Sequence, residues 1–109
     1  MLVVIIKTSM IPKGYGAFSV WPFIFMRDPK NAGLLAHEMV HYKEQRGCLT
    51  VPWLLCYAFE TKFRVACEVR AHRAEIAHGS ITLADAAKSL LRYSKKLTMG
   101  EALCRLGAP

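Results

Sequence analysis

The chain opens on a continuous apolar run. Residues 2–6, Leu-Val-Val-Ile-Ile, are leucine or β-branched throughout, and predict a buried strand. Met10–Ala17 is punctuated by Pro12, Gly14 and Gly16 and reads as a loop. β-Formers resume in Phe18–Arg27, with aromatics crowding both faces. Pro22 cannot donate to a ladder, so this second strand should lie at an edge or carry a bulge. Two strands joined by a loop predict a small antiparallel sheet.

From residue 27 the pattern becomes helical. Asp28 or Asn31 is placed to cap a helix running from about Lys30 to Arg46, with Gly47 as the residue that ends it. Pro52 is suited to open a second helix reaching His78 and Gly79. At the usual rise it would be about 40 Å long, and a break is expected near Glu60–Lys62. Thr82-x-x-Asp85 and Thr98-x-x-Glu101 have the capping-box spacing and predict helices at 83–95 and 99–106. The outline is two strands followed by four helices. It is an α+β domain in which a small N-terminal antiparallel sheet packs on a helical body.

Composition narrows the classes without choosing one. A chain of 109 residues, 53% hydrophobic, suits one minimal domain over 1–109. The formal net charge of +7 admits a nucleic-acid or anionic partner, but the basic residues are scattered and form no long run. Gly47–Phe59 is uncharged yet too short to cross a bilayer, and Met1–Ile6 lacks the basic flank and cleavage site of a signal peptide. Cys48, Cys56, Cys67 and Cys104 form no C-x-x-C pair, so reduced thiols and a cytoplasmic protein are expected.

Candidate chemistry sits in the first helix, in "LLAHEMVHYKEQ". His37 and His41 are four residues apart, so their imidazoles project one turn apart on one face and can reach one ion. Glu38 falls beside them, where it can take a proton from a water. Zinc binds imidazole nitrogen at about 2.0–2.1 Å, and catalytic sites add a third protein ligand and keep one position open. The downstream helix offers that ligand. Glu68, His72 and Glu75 share one face, and Ala71 leaves room beside Glu68. Glu68 is favoured; Glu60 and His72 are the alternatives. Glu60, Glu75 and His78 otherwise read as surface or capping residues. Tyr42, Tyr57, Arg64 and His72 are candidates for steadying an oxyanion or a ligand.

His37-Glu38-Met39-Val40-His41 followed by Glu68-Val69-Arg70-Ala71 resembles the gluzincin metallopeptidases, whose pattern is H-E-x-x-H with a later E-x-x-A. Over about residues 18–76 the likeness is to the very small single-domain members and to phage and bacterial proteins with similar "LAHEMVHYKEQ" and "FRVACEVRAHRAE" stretches. Two positions depart from that pattern: Glu44 stands where relatives often have glutamine, and His72 where they often have tyrosine. The resemblance implies a Zn2+ site of His37, His41 and Glu68, with Glu38 as general base for peptide-bond hydrolysis of a peptide or protein substrate. The aromatic strand at 18–27 could hold an extended substrate or simply pack over the helices. The competing reading is a non-catalytic zinc-stabilised binding module, with nucleic acid as a candidate partner, in which His72 or Cys67 would close the fourth position. A third histidine ligand, His72 or His78, would point instead to a DNA-recruited SprT-like protease.

Overall fold

The computed structural model describes residues 3–11 and 15–107. The start of the first expected strand and the Pro12–Gly14 part of the expected loop lie outside these residues. Three strands form, β1 (Val4–Lys7), β2 (Ala17–Val20) and β3 (Phe23–Met26), in the order β1-β3-β2. The second expected strand is therefore a hairpin, folded back at a cis Trp21–Pro22 bond. β2 and β3 are antiparallel, but β1 joins β3 in parallel, so the sheet is mixed and not purely antiparallel. The reason lies at the far edge. β2 faces the helices there, which leaves β3 as the partner for β1.

Side chains alternate across the sheet as the strand period requires. Ala17, Ile24 and Met26 turn inward and form a buried core with Tyr42. Phe18, Phe23 and Phe25 occupy the opposite face, where the Phe18 and Phe25 rings stack at 4.8 Å. Phe18 and Phe23 are exposed, and none of the three belongs to the core between sheet and α1.

Five helices follow: α1 (Ala32–Cys48), α2 (Thr50–Phe59), α3 (Thr61–Ala77), α4 (Leu83–Leu90) and α5 (Met99–Gly107), with a 3-10 turn at Leu91–Tyr93. Asn31 caps α1, its side-chain oxygen accepting from Leu34 N at 3.0 Å. The helix runs through Gly47, where an end was expected. The turn into α2 is made at Leu49, with φ of 66°. The long second helix breaks at Glu60, whose backbone is extended, as the sequence suggested. α4 stops five residues short of its expected end and tightens into the 3-10 turn. Both threonines cap their helices: Thr82 Oγ1 accepts from Asp85 N and Thr98 Oγ1 from Glu101 N, each at 3.1 Å.

α3 organises the rest. One side packs on the buried Ala86, Ala87, Leu90, Ala102 and Leu106 of α4 and α5 through Val69 and Ile76. Its other side faces α1. Gly33 makes that approach possible, because a Cβ there would lie 1.7 Å from Ser80 Oγ. The histidines of α1 are thus pressed against the carboxylates of α3. No helix is long and apolar enough to cross a membrane.

Candidate metal centre

His37, Glu38 and His41 each offer an atom within 4.8 Å of the others, all three residues being buried. The α3 carboxylate completes the group. Glu68 Oε1 lies 3.2 Å from His37 Nε2, and Glu68 Oε2 lies 2.9 Å from His41 Nε2. Of the candidate third ligands, only Glu68 is placed between the two imidazoles. Glu60 is exposed where α2 meets α3, and His78 is exposed at the end of α3. His72 lies beneath Glu68, its Nδ1 bonded at 2.8 Å to the Glu68 carbonyl oxygen.

His37 and Glu68 each have a hydrogen-bonded partner behind them, and Glu44 stands near His41. His37 Nδ1 meets Glu75 Oε1 at 2.8 Å, so the N–H is donated there and Nε2 is directed at Glu68. Glu75 is thus not the surface residue its position suggested. Glu44, to which the sequence alone assigns no role, lies 3.6 Å from His41 Nδ1 and is anchored by Arg70 Nε at 2.6 Å. The Tyr57 hydroxyl donates to Glu68 Oε2, and its ring stacks on Trp53 beside His41.

Charge and burial set the protonation states. Burial pulls down the basicity of both histidines, but hydrogen bonds and the charge of Glu68, with Glu75 or Glu44, outweigh it. His37 is raised to about 9 and His41 to about 10. Glu68 is also buried, which opposes ionisation, yet the two imidazoles hold its carboxyl well below the usual range. Glu38 goes the other way: burial raises it, and the histidines and Ser19 only partly compensate. Ser19 Oγ donates to Glu38 Oε1 at 2.9 Å, leaving Oε2 turned toward His37 Nε2 at 3.8 Å. His72 is lowered by burial and by the charge of His37.

The donor set fits a divalent metal. Glu68 Oε1 is buried with no hydrogen bond, the atom near His37 Nε2 being out of line for one. A buried carboxylate oxygen of this kind is costly unless a cation serves it. Two imidazole Nε2 atoms and one carboxylate are the ligand types of a three-residue zinc site, and Glu75 behind His37 is the usual partner that fixes a ligating tautomer.

Among the residues expected near the oxyanion, Tyr42 is misplaced. It is buried in the sheet–α1 core, because it follows His41 directly and successive helix residues diverge. Arg64 borders the cleft, but its guanidinium donates to the carbonyl oxygens of Tyr93, Tyr57 and Ala58. Cys67 stands apart from the group, its sulfur accepting from Arg70.

The group opens into a cleft of about 670 Å3 lined by β2, Trp53, Tyr57 and Tyr93. β2 is the edge strand on this side. Arg27 N donates to Gly16 O, so the pairing alternates and Ala17 and Ser19 turn their peptide groups outward. Gln45, fully buried, already occupies part of that edge. Its amide donates to Ser19 O at 2.8 Å and accepts from Trp21 N at 2.6 Å, as the peptide group of a neighbouring strand would. The sequence alone does not single out Ser19, Gln45 or Tyr93 for roles at the site. Only Gln45, four residues past His41 in the same apolar-flanked stretch, offered a signal. Comparison with protein-family models, curated proteins and solved structures finds no match to this chain.

Proposed function

We propose that the chain is a zinc-dependent peptidase. The observation that carries this reading is the convergence of His37 Nε2 and His41 Nε2 on one buried Glu68 carboxylate, with a second carboxylate, Glu38, beside them. The gluzincin-like pattern of residues 37–41 and 68–71 supports it. His37, His41 and Glu68 would hold the metal, which when bound supplies the positive charge that acidifies a water and polarises a carbonyl.

The remaining work falls to the chain's own residues. Glu38 takes the water proton at Oε2, the oxygen that Ser19 leaves free. Its burial, by raising its basicity, suits it to carry that proton and deliver it to the leaving nitrogen. Tyr57 fixes Glu68 through its hydroxyl, and Glu75 keeps His37 in the tautomer with Nε2 forward. The Ala17 peptide groups and the Ser19 N–H, which Gln45 does not occupy, offer the part of the edge strand along which an extended peptide can add, in the cleft and within reach of Glu38.

The test is Glu38→Gln. Purified with zinc, it should retain about one metal per chain and lose peptide hydrolysis by roughly 100- to 10,000-fold. Wild-type protein that binds no zinc would sink the reading. Wild type that binds zinc and cleaves no peptide would leave a zinc-stabilised binding module.

A further inference from the structure

Acidic and basic side chains are segregated around the cleft. Of the eight acidic residues in the chain, Glu38, Glu44, Glu68 and Glu75 gather at the histidines. The opposite balance holds next door. A second cavity, of about 630 Å3, lies between the start of α3, residues 91–97 and α5. Lys62, Arg92, Lys95, Lys96 and Arg105 border it, all exposed. Its one carboxylate, Glu101, is engaged by the Thr98 hydroxyl at 3.0 Å. Among the described residues, no carboxylate forms an ion pair with Lys62, Lys95, Lys96 or Arg105.

The two cavities share a wall, since Arg64, Arg92 and Tyr93 line both. That wall is fixed: Arg64 Nε donates to Tyr93 O at 3.0 Å, and Nη1 to Tyr57 O at 2.9 Å. A chain lying over Glu38 that continues past Tyr93 enters a space where, among the described residues, Lys62, Lys95, Lys96 and Arg105 form no ion pair with a carboxylate.

We propose that this second cavity binds an acidic segment of the polypeptide substrate, its carboxylates pairing with Lys62, Lys95, Lys96 and Arg105. The inference rests on the peptidase reading and names its substrate class. Shape favours a polypeptide over nucleic acid. A single strand needs aromatic platforms for its bases. Among the described residues, the only aromatic lining this cavity is Tyr93, half-buried and edge-on to His72 at 6.2 Å between ring centres. A duplex needs a basic stripe across an open face, whereas these cations ring a concavity that also holds Val65 and Leu97.

The experiment compares fluorescein-labelled hexaglutamate, a neutral Gly-Ser hexapeptide and hexathymidylate by anisotropy. The proteins are the zinc-loaded wild type and its Lys62→Glu/Lys95→Glu/Lys96→Glu variant, with circular dichroism melting to show that both fold. Each exposed ion pair contributes about 1.4- to 5-fold, so loss of the three should weaken hexaglutamate binding by roughly 3- to 125-fold. In 1 M salt, where the Debye length is roughly 3 Å, wild type should lose most of its preference over the neutral peptide. Equal binding of hexaglutamate to both proteins, or no preference over the neutral peptide, overturns the proposal. So does hexathymidylate binding more tightly with the same dependence on the three lysines. Cleavage of a mixed peptide library separates the two readings. Hydrolysis with no acidic enrichment beside the cut refutes this site and leaves the peptidase standing. Lysine-dependent hexaglutamate binding without any hydrolysis supports the site and refutes the peptidase.

Discussion

Replacing Glu68 with glutamine removes one charge and almost no volume. Glu68 lies 3.2 Å from one imidazole and 2.9 Å from the other, and only 2% of its side chain is exposed. The histidines, raised from 6.5 to about 9 and about 10, bind their protons more tightly in the folded chain than in the unfolded one. That stabilisation is complete below pH 6.5 and is lost as pH rises through 9 to 10. Glu68, held below its ordinary 4.5, carries the opposite sign: its contribution is present above about 4.5 and lost as pH falls. Both effects describe the same ion pairs and count once. Glu38, raised by burial, has the same sign as the histidines: its contribution is present below 4.5 and is lost as pH rises through its folded value. Protein stripped of metal should therefore be most stable between about pH 4.5 and 6.5.

Breaking a buried charge pair by removing one partner costs roughly 3–5 kcal/mol. Glu75 and Glu44 still face the histidines in the variant, so a loss near the lower figure, about 3 kcal/mol, is expected at about pH 6. That is a large share of the roughly 5–15 kcal/mol typical of a folded domain. Urea denaturation in EDTA between about pH 5 and 10 measures it, and the gap between wild type and variant should close as pH passes about 9. Zinc affinity, measured against a chelating dye, should fall by at least about 100-fold, more than removal of a supporting residue behind a ligand costs. A gap that stays constant with pH, or an unchanged zinc affinity, would refute the role given to Glu68.

Ser19→Ala removes a bond that lowers the Glu38 pKa, so the acid limb of kcat/KM should move to higher pH, and Ser19→Thr should restore it; an unmoved limb would exclude the contact. Gln45→Ala leaves the Ser19 carbonyl and the Trp21 N–H without their partner, at roughly 1–3 kcal/mol for each group. A urea-measured loss below about 0.5 kcal/mol would show that the edge repairs itself with water. Glu75→Gln should weaken zinc binding by about 10- to 100-fold while leaving Glu68 in place, and unchanged binding would return Glu75 to the surface role its sequence position suggested.

What the sequence made legible was local. Asn31, Thr82 and Thr98 act on backbone groups three residues away, and all three caps form where the spacing put them. The His37–His41 spacing needs only a helix. Gly47 shows where local reasoning fails. It suits a helix end, but the chain turns at once into α2, and the turn falls on Leu49. Strand pairing is less local still. Nothing within Phe18–Arg27 says that it folds on itself, or that β1 will join β3 in parallel. The partners behind the site are of this non-local kind, since Ser19 reaches Glu38 across 19 positions and Glu75 reaches His37 across 38. Tyr42 was within reach of simple geometry, because a residue adjacent to a ligand on a helix points elsewhere.

The charges around the site would let one fold serve with and without the proposed metal. Glu44 is balanced by Arg70, which leaves Glu38, Glu68 and Glu75 facing His37 and His41. Holding both imidazoles protonated offsets two of these negative charges. A divalent ion requires neutral imidazoles as ligands, so its two positive charges replace the two that leave with the protons. Local charge is conserved in the exchange. In the proposed site, the carboxylates that clasp the histidines would be the same groups that hold or orient the metal ligands.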